Sequence, residues 1–445
     1  MPMADRGATA PAATGSVAYL LKGYPRMSEI FIASEIERLE RAGLSVQLYV
    51  IKQPDERARH PVVERIRARP SYLPAVDSVS GTSLARWLRG NLRPFVPSIA
   101  TVARRRPAGL ARATAAALAQ AARARESRRA WPRKVYVKEL LQAVALAERL
   151  LAAHDVRHLH AHFAHGCTTV AWLASMITGL PFSFTGHAKD IYAERLNPAG
   201  LLRRKLLAAG FAVTCTEANR RHLRRIAPEA DVHRVYHGLN SDFSLLLDSS
   251  PPARSPNGRL RLLGVGRLVE KKGFDVLVDA CAQLEARGIE VEAAIVGEDG
   301  DHGAVVRRRI AERGLAGRVV LAGPKSQAEL LDEYRRADAL CLPCRIVDGG
   351  DRDGIPNVLV EAMACGLPSV STAISGIPEL IEHERNGLLV PPDDPRAMAS
   401  AVARIHTDRE LAARVARAAR ATVGERFDGD RLAGRLLELF TGAGS

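Results

Sequence analysis

The stretch SVAYLLKG at 16–23, SEIFIASEIERLERAGL at 28–44 and SVQLYVI at 45–51 decides the fold class. The first segment is a continuous apolar run of strand length. In the second, apolar positions recur at helical spacing, and the third is another strand-length run. Strand, helix and strand in that order make a β-α-β unit, which implies a parallel sheet with crossover helices. VRHLHAHFA at 156–164, PFSFTGHA at 181–188, AVTCT at 212–216 and VHRVYHGL at 232–239 continue the alternation. Residues 16–247 therefore read as one doubly wound α/β domain with a long insertion at about 54–150.

Working outward, residues 248–259, which end in PPARSPNGR, have the polar, Pro- and Ser-rich composition of a linker. Beyond them the pattern restarts with LRLLGVGRLV, VEAAIVG, VVLAG, ALCLPC, PSVST and GLLV, separated by helical segments. This is a second doubly wound domain, expected over 260–425. The closing residues 426–445 read as an amphipathic helix that would pack back on the first domain. Residues 1–15 lack the apolar run of a secretory signal and read as a disordered leader. No stretch of eighteen apolar residues occurs, so a membrane-spanning helix is not expected.

The 445 residues are 47% hydrophobic and 25% charged, ordinary proportions for a chain that folds into two cores. Six cysteines lie mostly within apolar segments, as suits reduced thiols and a cytoplasmic protein. Cys341 and Cys344 form a CxxC, but on a strand running into a proline, with no second ligand pair at metal spacing. The net charge of +15 is concentrated: residues 86–134 hold thirteen Lys and Arg against one acid, Glu126. A segment of +12 suits an acidic partner, either a membrane surface rich in anionic lipid or a polyanion. A solvated helical face is the plain alternative. Trp87, Phe95 and Trp131 stand among the cations, but no nucleic-acid module frames them.

Two segments carry chemistry. GVGRLVEKKGFD at 264–275 ends a strand and leads into a helix, where backbone amides and the helix dipole favour anions, with Gly266, Arg267 and Lys272 beside the helix start. DGIPNVLVEAMACGLPSV at 353–370 places Asp353 in a loop and Glu361 eight positions later on a helix expected to begin at Pro356. Amides of Gly354 and Ile355, with Asn357 beside them, could face a phosphate or sugar, and Glu361 could accept hydrogen bonds from a ribose diol. Both segments lie at C-terminal strand ends of one sheet, where open α/β sheets bind ligands.

These two motifs resemble the family 4 glycosyltransferases, retaining enzymes of the GT-B fold, in which two Rossmann-like domains face each other across a cleft. KGYPRMSEIFIASEIERLERAG, HAHFAHGCTTVAWLASMITGLPFSFTGHAKDIY and VYHGLN resemble a bacterial branch that builds exopolysaccharides such as colanic acid. The resemblance implies that Arg267 and Lys272 clamp the donor diphosphate while Asp353 and Glu361 contact donor sugar and ribose. The first acid of the family is usually Glu; here it is Asp353, one methylene shorter. His187 matches the residue that hydrogen-bonds the transferred sugar. Ser28, Glu29, His162 and Asp190 are weaker candidates, and capping explains Ser28 sufficiently. His160 and His162 share a strand face without a third or fourth ligand, so no metal is expected.

The implied function is metal-independent, retaining transfer from a nucleotide diphosphate sugar, with no cofactor, to a glycan acceptor delivered on a lipid. The enzyme would sit peripherally at the inner face of the plasma membrane through residues 86–134 and bind no nucleic acid. The alternatives are a nucleotide-sugar epimerase of the same fold, a basic nucleic-acid- or membrane-binding protein, and a non-catalytic scaffold.

Overall fold

A computed structural model describes residues 15–26, 29–54, 60–127, 129–239, 243 and 259–442. Residues 1–14 of the leader, most of the 248–259 stretch and Ser28 lie outside the described residues. The chain forms two compact units, the first of residues 1–214, 220–235 and 430–445, the second of 215–219 and 236–429.

The first unit begins as the sequence suggests, with β1 (Ser16–Gly23), α1 (Ile30–Arg41) and β2 (Ser45–Lys52). The insertion contributes α2 (Pro61–Arg65), a short strand β3 (Pro70–Tyr72), α3 (Leu84–Asn91), α4 (Val96–Arg105) and α5 (Pro107–Arg123). Then follow α6 (Val135–Ala152), β4 (Val156–His162), α7 (Cys167–Thr178), β5 (Phe182–Gly186), α8 (Lys189–Tyr192), α9 (Leu201–Ala208), β6 (Phe211–Thr214), α10 (Glu217–Ile226) and β7 (Val232–Arg234). The seven strands form one parallel sheet in the order β3-β2-β1-β4-β5-β6-β7.

Alternation along β1 splits the core. Ala18 and Leu20 join one apolar layer, while Val17, Tyr19 and Leu21 join another with α1 and the chain's last helix. A parallel sheet covered on both faces needs this double burial. The insertion belongs to the first layer: α4 packs on α6, and α5 on α6 and α7. Trp87 and Phe95 are buried there, and the indole nitrogen of Trp87 donates to the Asp77 carbonyl. They are core residues rather than aromatics interleaved with the surface cations; only Trp131 of the three is exposed.

The second unit contains β8 (Leu260–Val265), α11 (Phe274–Glu285), β9 (Val291–Val296), α12 (Gly303–Glu312), β10 (Val319–Gly323), α13 (Gln327–Arg336) and β11 (Ala339–Leu342). It continues with α14 (Asn357–Ala364), β12 (Ser369–Thr372), α15 (Ile377–Leu380), β13 (Leu388–Val390), α16 (Pro395–Thr407) and α17 (Arg409–Arg426). Its six parallel strands run β10-β9-β8-β11-β12-β13. The last helix, α18 (Gly429–Gly442), sends Ala433, Leu436 and Phe440 into the first unit's core, where Phe440 packs on Tyr19 and Phe211.

The unit boundaries fall elsewhere than the composition suggests. Tyr236 already belongs to the second unit, because its hydroxyl and the amides of Glu217 and Ala218 all donate to the Glu379 carboxylate at 2.7–3.1 Å. At the other end the second unit runs to Gly429 rather than 425, since Arg426 donates to the Glu379 carbonyl and Leu239 to that of Phe427. A Pro- and Ser-rich stretch signals a break in regular structure; which unit holds the flanking residues is settled by partners distant in sequence.

Candidate active site

In each sheet the strand order reverses once, between β1 and β4 and between β8 and β11. The loops leaving the two central strands turn in opposite directions there, which opens a crevice at the carboxyl ends. In the second unit those loops are 266–273 after β8 and 343–356 after β11, and they carry both sequence motifs.

The β8 loop closes with a single 3-10 turn, Glu270–Lys272, that ends at Gly273. Gly273 has φ +67°, and a Cβ on it would stand 2.0 Å from the Pro343 carbonyl oxygen, so only glycine fits where the two loops meet. The turn aims both lysines at the β11 loop. Lys272 Nζ lies 2.6 Å from Asp353 Oδ2, and Lys271 Nζ lies 3.1 Å from both Asp353 Oδ1 and Asp351 Oδ1. Gly266 leaves room for the Lys272 stem, since a Cβ there would lie 2.9 Å from Lys272 Cε. Arg267 is exposed and close enough to act electrostatically on Lys272. The first turn of α11 carries Asp275, both of whose carboxylate oxygens accept from Arg345 at 2.8 Å.

Burial alone would push the Asp353 carboxyl up, but Lys272 and Lys271 outweigh it and hold it at about 2. Burial pulls both ammonium groups down, and the Asp353 carboxylate more than restores them. The cluster is thus fully ionised at neutral pH. Gly354 and Ile355 are half-buried in the loop, Pro356 is the buried cap residue, and Asn357 is the exposed first residue of α14, one position later than expected. Glu361 follows one turn on. Its carboxylate accepts from the hydroxyl of Tyr334 at 2.9 Å. Burial pushes Glu361 up to about 7, with the Tyr334 bond working the other way.

Lys271 and Tyr334 escaped the sequence reading. The doublet Lys271-Lys272 was a usable signal, because a 3-10 turn can direct adjacent residues to one partner. Tyr334 offered none, being an apolar-looking position on a different helix.

The first unit holds the remaining candidates. His187 follows β5, and His162 ends β4; His187 Nε2 lies 3.4 Å from His162 Nδ1. Asp190, by contrast, is spent on backbone. Its buried carboxylate accepts from the amides of Ala164 (2.6 Å), Ala188 (3.0 Å) and His187 (3.1 Å), tying the β4 and β5 loops together. Asp190 is a positioning residue. Glu29 pairs with Arg26 at 2.6 Å. His158, His160 and His162 share one buried face of β4. Burial drives His158 down to about 4, and His160 and His187 well below the ordinary imidazole value.

The sequence offered His160 and His162 no third ligand, but Glu35 of α1 comes within 4.8 Å of both, so a third donor stands there. Its position on a helix far upstream hid it. Each ring nitrogen already has a protein partner: His160 meets Ser183 and Thr185, while His162 meets His187 and Glu35.

Residues 248–422 match the family model "Glycosyl transferases group 1". The amylovoran biosynthesis glycosyltransferase AmsK of Erwinia amylovora is 43% identical over 169 residues, which cover 38% of this chain and 41% of AmsK. The putative colanic acid biosynthesis glycosyltransferase WcaL of Escherichia coli K12 is 38% identical over 232 residues, 52% of this chain and 49% of WcaL. The match thus spans less than half the length of these curated relatives. Among solved structures, sucrose-phosphate synthase from Thermosynechococcus elongatus superimposes with a TM-score of 0.66 at 19% identity, covering 96% of this chain and 98% of the other. HepE of Anabaena, in complex with UDP and glucose, gives 0.65 at 16% identity, covering 96% and 100%. The chain therefore has the GT-B fold; its residues 248–422 match the glycosyl transferases group 1 model, and it is similar to glycosyltransferases of exopolysaccharide biosynthesis.

Proposed function

We propose that this chain is a retaining, metal-independent glycosyltransferase that moves a sugar from a nucleotide diphosphate sugar to a lipid-linked glycan acceptor in exopolysaccharide synthesis. The observation that carries this reading is the ionised Lys271–Lys272–Asp353 cluster at the switch point of the second sheet, with Arg267 exposed beside it. Three cations suit a diphosphate leaving group, and a carboxylate held at about 2 stays negative as positive charge develops on a sugar. Such an acid cannot supply a proton. In the front-face reaction the family resemblance implies, the leaving phosphate oxygen takes the acceptor hydroxyl's proton, and no protein nucleophile is needed.

HepE was solved with UDP and glucose, which supports a nucleotide sugar as the donor here. Glu361, with one oxygen held by Tyr334, is suited to a ribose diol. The acceptor would come from a membrane: Arg86, Arg89 and Arg93 of the α3 region and Arg104–Arg106 at the end of α4 are exposed, and Trp131 is 91% exposed. Among the described residues no helix is long and apolar enough to cross a bilayer, so the proposed attachment is peripheral, at the inner face of the plasma membrane.

The test is a thermal-shift panel of nucleotide sugars, followed by transfer assays with and without acceptor and with chelator. Donor-dependent stabilisation and acceptor-dependent transfer that survives chelation are expected. Isomerised sugar without acceptor would indicate an epimerase. Unchanged transfer in both Lys272→Ala and Glu361→Ala would end the assignment.

A further inference from the structure

The cations at the switch point of the second sheet are in two states. Arg267 is exposed, and no ion pair holds it among the described residues. Lys271 and Lys272 are half-buried and already paired. Lys272 Nζ lies 2.6 Å from Asp353 Oδ2, and Lys271 Nζ lies 3.1 Å from Asp353 Oδ1. Each ammonium group thus takes one oxygen of the same carboxylate, and the Cys344 thiol adds a weak donor to Oδ2 at 3.9 Å. Burial pushes that thiol up to about 12, so it keeps its proton.

A diphosphate that enters here therefore does not meet three free cations. Phosphate oxygens close enough to bind Lys272 are also close to Asp353, and like charges crowded into one half-buried site raise each other's energy. The carboxylate cannot escape by taking up a proton at neutral pH, because the two lysines hold it at about 2 against its burial, which alone would push it up. Either it gives up the lysines or the diphosphate binds weakly.

The lysines, by contrast, are held from behind. The Lys271 carbonyl accepts from the amide of Arg345 at 2.9 Å, and the Arg345 guanidinium donates to both oxygens of Asp275 on α11 at 2.8 Å. The Lys272 amide donates to the Val269 carbonyl at 3.0 Å. None of these contacts involves Asp353, which stands in a loop outside any helix or strand. The ion pairs can open while the 3-10 turn that carries both lysines keeps its place.

We propose that Asp353 is an internal counter-ion that the donor diphosphate displaces from Lys272 and Lys271, so that the carboxylate is released to the sugar only when the diphosphate is in place. This rests on the proposed function, and it makes Asp353 a determinant of donor affinity as well as a charge in the reaction. After transfer the same carboxylate competes again for the lysines and favours departure of the nucleotide diphosphate.

Equilibrium binding of inorganic pyrophosphate, UDP and GDP to the full-length chain tests this. Asp353→Asn removes the competitor and is expected to bind pyrophosphate about tenfold more tightly than the wild type, a modest coupling for a close charge pair, while transfer falls. Asp353→Glu keeps the charge and should stay near wild-type affinity. A gain in affinity separates this role from a structural one, because damage to the site only weakens binding. In a crystal of the wild type with pyrophosphate or UDP, Lys272 Nζ should have left Asp353 Oδ2 for a phosphate oxygen. Pyrophosphate bound no more tightly by Asp353→Asn than by the wild type would overturn the proposal. Should that variant not fold, the wild-type crystal decides: an intact Lys272–Asp353 pair beside the bound diphosphate, or no bound diphosphate at all, would do the same. If Asp353→Asn gains affinity for pyrophosphate but the wild type transfers sugar from no nucleotide sugar, the proposed function fails and the counter-ion stands.

Discussion

In the second unit, half-buried Asp353 has two ammonium groups within 3.1 Å, whereas in the first unit the buried His158 and His160 have hydroxyls and aromatic rings around them. The difference is one of protonation. Where opposite charges are buried together, each keeps the other ionised and the site stays charged over a wide pH range. Where bases are buried without such partners, burial itself neutralises them. One unit holds an ionised cluster at its switch point, the other a row of neutral hydrogen-bonding groups.

Removing a cation should have the largest effect. Lys272→Ala leaves Asp353 with Lys271 alone and takes one charge from the diphosphate, and transfer should fall by about 10²–10³ in kcat/KM. His187→Ala, which removes a neutral partner, should lose less. If the two losses were equal, the comparison between a charged and a neutral half would break down.

The second effect concerns acid stability. His158 is held at about 4 in the fold against an ordinary 6.5, so the unfolded chain binds the extra proton first as pH falls. Its contribution is present above about 6.5 and is lost as pH drops toward 4, roughly 3 kcal/mol for this one group. Asp353, held at about 2 against 3.8, contributes above 3.8 and loses that contribution only between about 4 and 2. Hydrogen exchange between pH 7 and 4.5 should therefore show β4 and β5 losing protection while the 266–273 and 343–356 loops keep theirs. Simultaneous loss in both would contradict the assignment of protonation states.

The same contrast explains what was legible in the sequence. Arg267, Lys272, Asp353 and Glu361 could be picked out because charged residues at strand ends are conspicuous and their spacing matches a family. The alternation of strands and helices announced both sheets, since parallel strands buried on both faces are long apolar runs. Glu35 and Tyr19 could not be found this way. Glu35 reads as one more acid on an amphipathic helix, Tyr19 as one more apolar strand residue, and their meeting with His162 depends on α1 crossing the sheet beside β4. Trp87 and Phe95 are the opposite case: arginines flank them in the sequence, yet the local helical turns bury both side chains.

A smaller effect separates Glu361 from Asp353 within the charged unit. Glu361 is held at about 7 against an ordinary 4.5, so between those values the folded protein carries the extra proton, and stability from this group declines as pH rises through 7. If the ribose diol needs the ionised carboxylate, affinity for UDP or GDP should rise severalfold from pH 6 to 8, with an inflection near 7 that Glu361→Gln abolishes. Tyr334→Phe removes the bond that favours ionisation and should move the inflection upward. A flat profile in the wild type would mean that Glu361 does not carry the nucleotide contact.

The smallest effect lies on the outside of the first unit, where charge is abundant but unburied. Arg104, Arg105 and Arg106 are exposed, and no ion pair holds them among the described residues. Exposed cations near an anionic membrane are worth on the order of 1 kcal/mol each, so Arg104→Ala with Arg105→Ala should weaken binding to phosphatidylserine vesicles by roughly tenfold or more. Trp131→Ser should weaken it only a few-fold and leave the melting temperature unchanged, because the side chain is 91% exposed and contributes little to the core. Vesicle flotation at two salt concentrations separates the two contributions: the arginine effect should shrink as salt rises, and the tryptophan effect should persist. Equal salt sensitivity of both would mean that Trp131 does not enter the bilayer interface, leaving the segment a solvated basic face.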